Sequence, residues 1–349
     1  MNIVFVCDTM GSGGAERVIS TLSNEFVKQG NNVSIIMLSS IAEEPFYKLD
    51  GSIKLVFLSS NFDKELSFSK KAKLLKRTIL GINPDVVISF ISYVCIYTWW
   101  ALRHTKIPYI VSERNDPNHR GKIKQFLLNQ SFKKASGCVF QTEDALKWYG
   151  KIAVRRSRVI YNPVNLTFIP KDTTTDKKQL LYVGRFTEQK NCLLLLDAFN
   201  HFAKEHSEYS LKMYGDGPLK HAIQEYLSKN NLSEKVIILP SSKDWQEREY
   251  NSSLFVLPSN YEGMPNVLAE ALCLGLPCVA TDCTIGGPKE LKKVFGNQLV
   301  LVKTNDPDDL LSGLESGIKL KRKQPLVPDE LSIVAISKQW IDFIKTIIQ

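Results

Sequence analysis

Apolar and polar positions fall along this chain in blocks that repeat. Residues 2–7 form a short β-rich apolar run, residues 8–14 a glycine-rich loop, and residues 15–29 carry apolar side chains at helical spacing. Gly30 stops that helix, and residues 33–38 form a second strand, so the chain opens with a βαβ unit. The layout returns at residues 179–184, a strand followed by a polar loop over 185–191, an amphipathic helix to about His206 and a strand over 210–214. Other strand-like runs lie at 54–58, 86–89, 109–112 and 137–141 in the first half, and at 236–239, 254–257, 278–281 and 298–302 in the second. Two successive βαβ starts predict an α/β protein with two Rossmann-like parallel sheets. Each would turn its ligand-facing loops outward at the strands' carboxyl ends, toward a central cleft.

A polar stretch, residues 170–178, lacks apolar periodicity and predicts a linker, which puts the boundary near Asn162 and Pro163. The expected domains are residues 1–165, residues 166–330 and a terminal segment, 331–349, that caps the second domain or crosses back to the first. In that segment Ile residues, Trp340 and Phe343 alternate with Lys338 and Lys345 at helical spacing.

Length supports the division, since 349 residues with 44% hydrophobic and 23% charged content suffice for two cores. The first apolar run is too short for a secretory signal and lacks a basic flank, so it is expected to be a strand. No stretch reaches the ~18 apolar residues of a spanning helix; the nearest, residues 91–102, ends at Arg103 and His104. Seven cysteines, an odd number scattered through apolar segments, argue for reduced thiols in a cytoplasmic compartment. Cys273, Cys278 and Cys283 recur every five residues, outside the spacing of zinc pairs, and read as core.

Charge changes the picture more. Residues 1–165 hold 23 Lys and Arg against 13 Asp and Glu, whereas the remainder holds 22 against 23. Such asymmetry points to a polyanionic surface, nucleic acid or an anionic membrane leaflet. Lys70, Lys71, Lys73, Lys76 and Arg77 interleave with Leu74, Leu75, Ile79 and Leu80, and Arg120, Lys122, Lys124, Lys133 and Lys134 surround Phe126, Leu127, Leu128 and Phe132. Both stretches predict basic amphipathic helices suited to lipid headgroups. A nucleic-acid reading finds no zinc spacing, stacking repeat or helix-turn-helix signal to support it.

The candidate chemistry sits mainly in the second half. A strand ends at Gly184 and delivers Arg185 and Lys190 into the loop before a helix, two cations suited to a diphosphate. Another strand ends before Glu262, Gly263, Met264, Pro265, Asn266 and Val267, where Gly263 allows a tight turn and Pro265 occupies the expected first helical position. The amides of that helix start form an anion site. Glu262 before the helix and Glu270 in its second turn supply carboxylates for ribose or sugar hydroxyls.

Glu262 and Glu270, with seven residues between them, and their neighbours resemble glycosyltransferase family 4, retaining enzymes of the GT-B fold. Similar signatures occur in family order at Gly13-Gly14-Ala15-Glu16-Arg17, Tyr161-Asn162-Pro163-Val164, Val183-Gly184-Arg185 with Lys190-Asn191, and Gly215-Asp216-Gly217-Pro218. The resemblance implies that Arg185 and Lys190 hold the donor diphosphate, Glu270 the ribose and Glu262 the transferred sugar. It adds the amides of residues 263–266 against sugar and phosphate, retention of anomeric configuration, and no essential metal or other cofactor. Residues 281–290 look like a loop of a bacterial polysaccharide-transferase subgroup that uses UDP-hexoses or UDP-N-acetylhexosamines, which favours UDP. The implied acceptor is a glycan carried on a polyprenyl diphosphate at the inner face of the cell membrane.

In the first half, Gly11-Ser12-Gly13-Gly14 misses the third glycine of a dinucleotide fingerprint, because Glu16 stands in its register, and the second strand ends in Ser39-Ser40 instead of an acid. Gly13 and Gly14 are instead expected to let backbone approach the donor phosphate or the acceptor from across the cleft. Many family members carry a histidine after the strand at residues 109–112; this chain has Ser112-Glu113-Arg114-Asn115-Asp116-Pro117, and His119 reads as an exposed loop residue. Ser112, Glu113 and Arg114 become the acceptor-side candidates, Glu113 and Arg114 being open to the donor sugar as well, with Glu113 as a catalytic one. A nucleotide-sugar epimerase or hydrolase on the same scaffold is the alternative.

Overall fold

In the computed structural model the described residues are 1–39, 44–59, 67–114, 121–153, 156–166, 168–170 and 177–349. They divide into two compact units, Met1–Pro163 with Glu330–Gln349, and Val164–Asp329. The expectations placed on Ser40, on residues 115–120 including His119 and Arg120, and on the linker residues 171–176 lie outside the described residues.

The first unit runs β1 (Asn2–Cys7), α1 (Gly14–Lys28), β2 (Asn32–Ser39), β3 (Lys54–Ser59), α2 (Phe68–Ile82), β4 (Val86–Phe90), α3 (Ser92–Leu102), β5 (Tyr109–Ser112), α4 (Lys122–Lys134), β6 (Gly137–Phe140), α5 (Glu143–Tyr149) and β7 (Ser157–Val159). Its seven strands are all parallel, in the order β3-β2-β1-β4-β5-β6-β7. The chain therefore starts in the middle and reverses direction between β1 and β4. Right-handed crossovers then put α1 on one face and α2, α3 and α4 on the other. Strands covered on both faces need apolar side chains on both, and Phe5, Val87, Ile88 and Val111 are fully buried. The strand β7 escapes sequence reading because Ser157-Arg158-Val159 has no apolar run; its pairing with β6 supplies the strand.

The second unit repeats the plan with β8 (Lys177–Val183), α6 (Cys192–Glu205), β9 (Ser210–Tyr214), α7 (Lys220–Lys229), β10 (Val236–Leu239), α8 (Trp245–Glu249), β11 (Ser252–Leu257), α9 (Asn266–Cys273), β12 (Cys278–Thr281), α10 (Gly287–Phe295), β13 (Leu299–Val302) and α11 (Pro307–Gly317). Its six parallel strands lie in the order β10-β9-β8-β11-β12-β13, with the switch point between β8 and β11. Asp306 caps α11 by accepting from the Asp309 amide, and Asp308 and Asp309 complete an acidic first turn that suits the helix dipole.

The last helix, α12 (Ile333–Ile348), belongs to the first unit. Ile336, Trp340, Phe343, Ile344 and Ile347 join the core that holds Phe5, Phe26 and Phe90. Trp340 stacks on Phe90 with ring centroids 6.0 Å apart, and Gln29 Nε2 donates to Ser337 Oγ at 2.8 Å. Gly137 makes room for this packing, since a Cβ there would lie 2.8 Å from both Phe343 and Ile347.

All seven cysteines are buried and unbonded to one another. Lys71, predicted on an exposed basic face, is corrected by the structure: it is buried with Ala72 and Leu75 on the inner side of α2.

Candidate active site

Both loops singled out in the second half leave carboxyl ends of the second sheet, one after β8 and one after β11, on either side of its switch point. Hydrogen bonds staple them together. The Asn260 amide donates to the Gln189 carbonyl at 2.8 Å, Asn260 Nδ2 to the Glu188 carbonyl at 2.7 Å, and Gln189 Nε2 to the Tyr261 carbonyl at 3.0 Å. Asn191, in the left-handed region at φ 47°, donates from Nδ2 to Asn260 Oδ1 and to Asn305 Oδ1. Sequence reasoning missed these amides, because an Asn in a loop carries no pattern that names its partner.

The charged groups differ in freedom. Lys190 Nζ donates to Glu262 Oε1 at 2.5 Å, and Ser259 Oγ donates to the same oxygen at 2.7 Å. The Lys190 and Glu262 side chains are 13% and 8% exposed, so little water screens the pair. Arg185 is exposed and has no ion-pair partner among the described residues. One fixed cation–carboxylate pair thus lies beside one cation open to an anion. Cys283 packs at the same place and donates to the Ser259 carbonyl at 3.3 Å; burial, with Glu262 nearby, pushes its thiol up to about 12, which keeps it neutral.

Pro265 takes a different position from the predicted one. The structure puts it at the N-cap of α9, with Asn266 as the first helical residue, because its ψ of 108° is extended. A proline cap offers no side-chain acceptor, so no side-chain cap closes this helix start. The start of α10 presses against the same loop: a Cβ on Gly287 would lie 1.5 Å from the Gly263 carbonyl oxygen. Gly263, Met264 and Pro265 are buried, and Val267 is half-buried. Glu270, 2% exposed, accepts from Gln246 Nε2 of α8 at 3.1 Å, a partner that no sequence signal suggested. Gly184 donates its amide to the Tyr214 carbonyl, which ties the Arg185 loop to the end of β9.

In the first unit, Gly13 is the N-cap of α1 and Gly14 its first residue. The Glu16 carboxylate folds back over this start: a Cβ on Gly13 would lie 2.1 Å from Glu16 Oε2. The acceptor-side candidates separate. Ser112 is fully buried in β5 and donates to the Val139 carbonyl at 3.2 Å. Glu113 is 4% exposed; its Oε1 accepts the Arg114 amide at 2.8 Å, and its Oε2 accepts from Tyr149 at 3.3 Å and Ser92 at 3.5 Å. Its carboxylate is turned inward.

Arg114 Nη1 donates to Asn162 Oδ1 at 2.5 Å, and its guanidinium lies 4.1 Å from the Phe90 ring centroid. Its shielded Nε and Nη2 find no partner among the described residues. Burial pulls the guanidinium's pKa well below its ordinary value, with the Glu113 carboxylate opposing. Gln141 Nε2 also donates to Asn162 Oδ1 at 2.7 Å. Asn162 stood within a quoted signature, but only the fold brings Gln141, Tyr149 and Ser92 to this cluster.

Residues 167–326 match the family described as Glycosyl transferases group 1, and residues 12–168 match Glycosyltransferase Family 4. A Campylobacter jejuni protein, GalNAc-alpha-(1->4)-GalNAc-alpha-(1->3)-diNAcBac-PP-undecaprenol alpha-1,4-N-acetyl-D-galactosaminyltransferase, is 32% identical over 94% of this chain and 89% of its own. The Salmonella typhimurium lipopolysaccharide 1,6-galactosyltransferase is 27% identical over 84% of this chain and 83% of its own. Among solved structures, Anabaena HepE in complex with UDP superposes with a TM-score of 0.78 at 15% identity, covering 99% of this chain and 100% of that one. The lipopolysaccharide outer core galactosyltransferase WaaB superposes with a TM-score of 0.76 at 22% identity, covering 99% of both chains.

Proposed function

The chain belongs to glycosyltransferase family 4 and has the GT-B fold, and from that premise we propose that it moves a hexose or N-acetylhexosamine from UDP to a polyprenyl-diphosphate-linked glycan. The observation that carries the donor half is the pairing, at the switch point of the second sheet, of open Arg185 with the fixed Lys190–Glu262 contact. A diphosphate arriving there meets the Arg185 fork, which can grip two oxygens, and the start of α9, which favours negative charge. Lys190 then exchanges Glu262 for phosphate. The freed carboxylate turns to sugar hydroxyls, which it can only accept from. Glu270, beside Gln246, takes the ribose hydroxyls.

When the bond from sugar to diphosphate breaks, its electron pair stays on the diphosphate. Arg185, Lys190 and the dipole of α9 stabilise that charge, the work a divalent ion does in other transferases, so the reading includes a metal-independent transfer with anomeric configuration retained. In the first unit Arg114 serves the acceptor, and Glu113, whose carboxylate faces Ser92 and Tyr149, acts by positioning it. UDP in the HepE complex and the undecaprenol-linked substrate in the name of the Campylobacter relative support donor and acceptor classes. Lipid-linked acceptors also favour peripheral attachment at the inner membrane face.

Titration calorimetry with UDP, GDP, NAD and a DNA duplex, EDTA present, tests this on the wild type and Arg185→Ala. Metal-free UDP binding that weakens at least tenfold in the variant is expected, by loss of a charge-assisted contact worth ~1.5–3 kcal/mol. Binding of NAD or DNA alone would overturn the reading; preference for GDP would overturn the nucleotide.

A further inference from the structure

Helices α2, α3 and α4 form one layer on one face of the first sheet, α2 packed on α3 and α3 on α4. Their charges have a single sign. Lys70, Lys71, Lys73, Lys76 and Arg77 lie on α2, Lys122, Lys124, Lys133 and Lys134 on α4, and none of the three helices contains Asp or Glu. A merely solvated helix face gains by mixing signs, because acid–base pairs one turn apart are stabilising. Lys70, Lys73 and Arg77 are exposed along α2, as are Lys122 and Lys124 at the start of α4.

Apolar groups stand out among these cations. Ile123 is 80% exposed and Phe126, one turn on, is 61% exposed. On α3 the partly exposed Tyr93, Tyr97 and Trp100 recur at helical spacing. Phe68, at the start of α2, stacks on Tyr97 at 4.7 Å and meets Trp100 edge-on at 5.5 Å. Arg103 lies 3.8 Å from the Trp100 ring centroid, and Lys124 lies 6.0 Å from that of Tyr93, so cations border the aromatic stripe.

We propose that this face seats the protein on an anionic lipid surface, with Ile123 and Phe126 inserting at the acyl boundary. Aromatic rings with polar edges suit the headgroup layer, and the surrounding Lys and Arg meet lipid phosphates. Nucleic acid would also attract the charge, but it gives an exposed aliphatic side chain such as Ile123 nothing to bury against. Topology adds a reason: α4 begins at the carboxyl edge of the first sheet, shortly after Arg114, so the wedge lies on the acceptor's side. The proposal rests on the lipid-linked acceptor read above, and names the surface on which that acceptor is met.

The test is co-sedimentation of the full chain with vesicles of phosphatidylcholine alone and of phosphatidylcholine with phosphatidylglycerol, at low and high salt, with thermal melts to verify folding. The wild type and a control, Val334→Ser at an exposed position of α12, should pellet with the anionic vesicles only. The pairs Ile123→Ser/Phe126→Ser and Lys122→Glu/Lys124→Glu should each weaken partitioning at least about tenfold. UDP titration of the same proteins should be unchanged, so that failure of docking and failure of the donor reading are told apart. Equal pelleting with neutral vesicles, double variants that pellet like the wild type, or tight binding to a DNA duplex without vesicle binding would each overturn it.

Discussion

At the residue scale the most consequential polar group outside the site is Glu249, whose side chain is 2% exposed. Its Oε1 accepts from Lys212 Nζ at 2.8 Å and Tyr214 at 2.7 Å, and its Oε2 from Gln179 Nε2 at 2.7 Å. Burial pushes this carboxyl's pKa up, but hydrogen bonds from Lys212, Gln179 and Tyr214, with the charge of Lys177, outweigh burial and hold it below the ordinary value. A depressed pKa means that the unfolded chain binds the proton more readily. The group's contribution to stability is therefore complete above the unfolded value, about 4.3, and disappears as pH falls through the folded one. Glu249→Gln should lower the melting temperature at neutral pH and flatten its decline between about pH 5 and pH 3. Parallel melting profiles for the two proteins would refute this account. Nothing in the sequence marked Glu249, because its four polar partners, Lys177 and Gln179 on β8 and Lys212 and Tyr214 on β9, are distant along the chain.

At the element scale, α12 shows how a correct helix prediction leaves its destination open. The spacing of Trp340, Phe343 and Ile344 announces an apolar stripe; that the stripe lies on α1 and the first sheet depends on Phe90 and on the absent side chain of Gly137. Trp340→Ala should cost about 3–5 kcal/mol in denaturant unfolding of the first unit, from lost burial and the cavity left behind. Trp340→Phe should cost less, because the buried indole N–H has no partner among the described residues to lose. Equal losses for the two substitutions would contradict that ordering. The start of α9 makes the complementary point: the sequence foretold a helix behind a glycine turn, and the cap fell one residue from the expected place.

At the scale of the whole molecule, the candidate residues are divided between the two units. Every candidate donor residue except Gly13 and Gly14 lies in Val164–Asp329, and the acceptor-side candidates lie in the other unit. UDP should therefore stabilise the second unit first. At about a hundred times its Kd the gain is about 2.7 kcal/mol. Hydrogen exchange should show the slowing in peptides covering residues 185–191 and 259–270; protection confined to the first unit would move the donor site out of the second.

The sequence by itself determined the two βαβ starts, the segment containing Glu262 and Glu270, the cations Arg185 and Lys190, and the uneven charge. Each of these is a matter of local spacing or of residue type, which the chain carries along its length. Tertiary structure alone decided which groups meet. It paired Lys190 with Glu262, turned Glu113 inward to Tyr149 and Ser92, buried Ser112 and Lys71, and gathered the cations of α2 and α4 on one face. Those outcomes depend on crossover handedness and on close packing between residues far apart in sequence, and neither leaves a periodic trace in the order of amino acids.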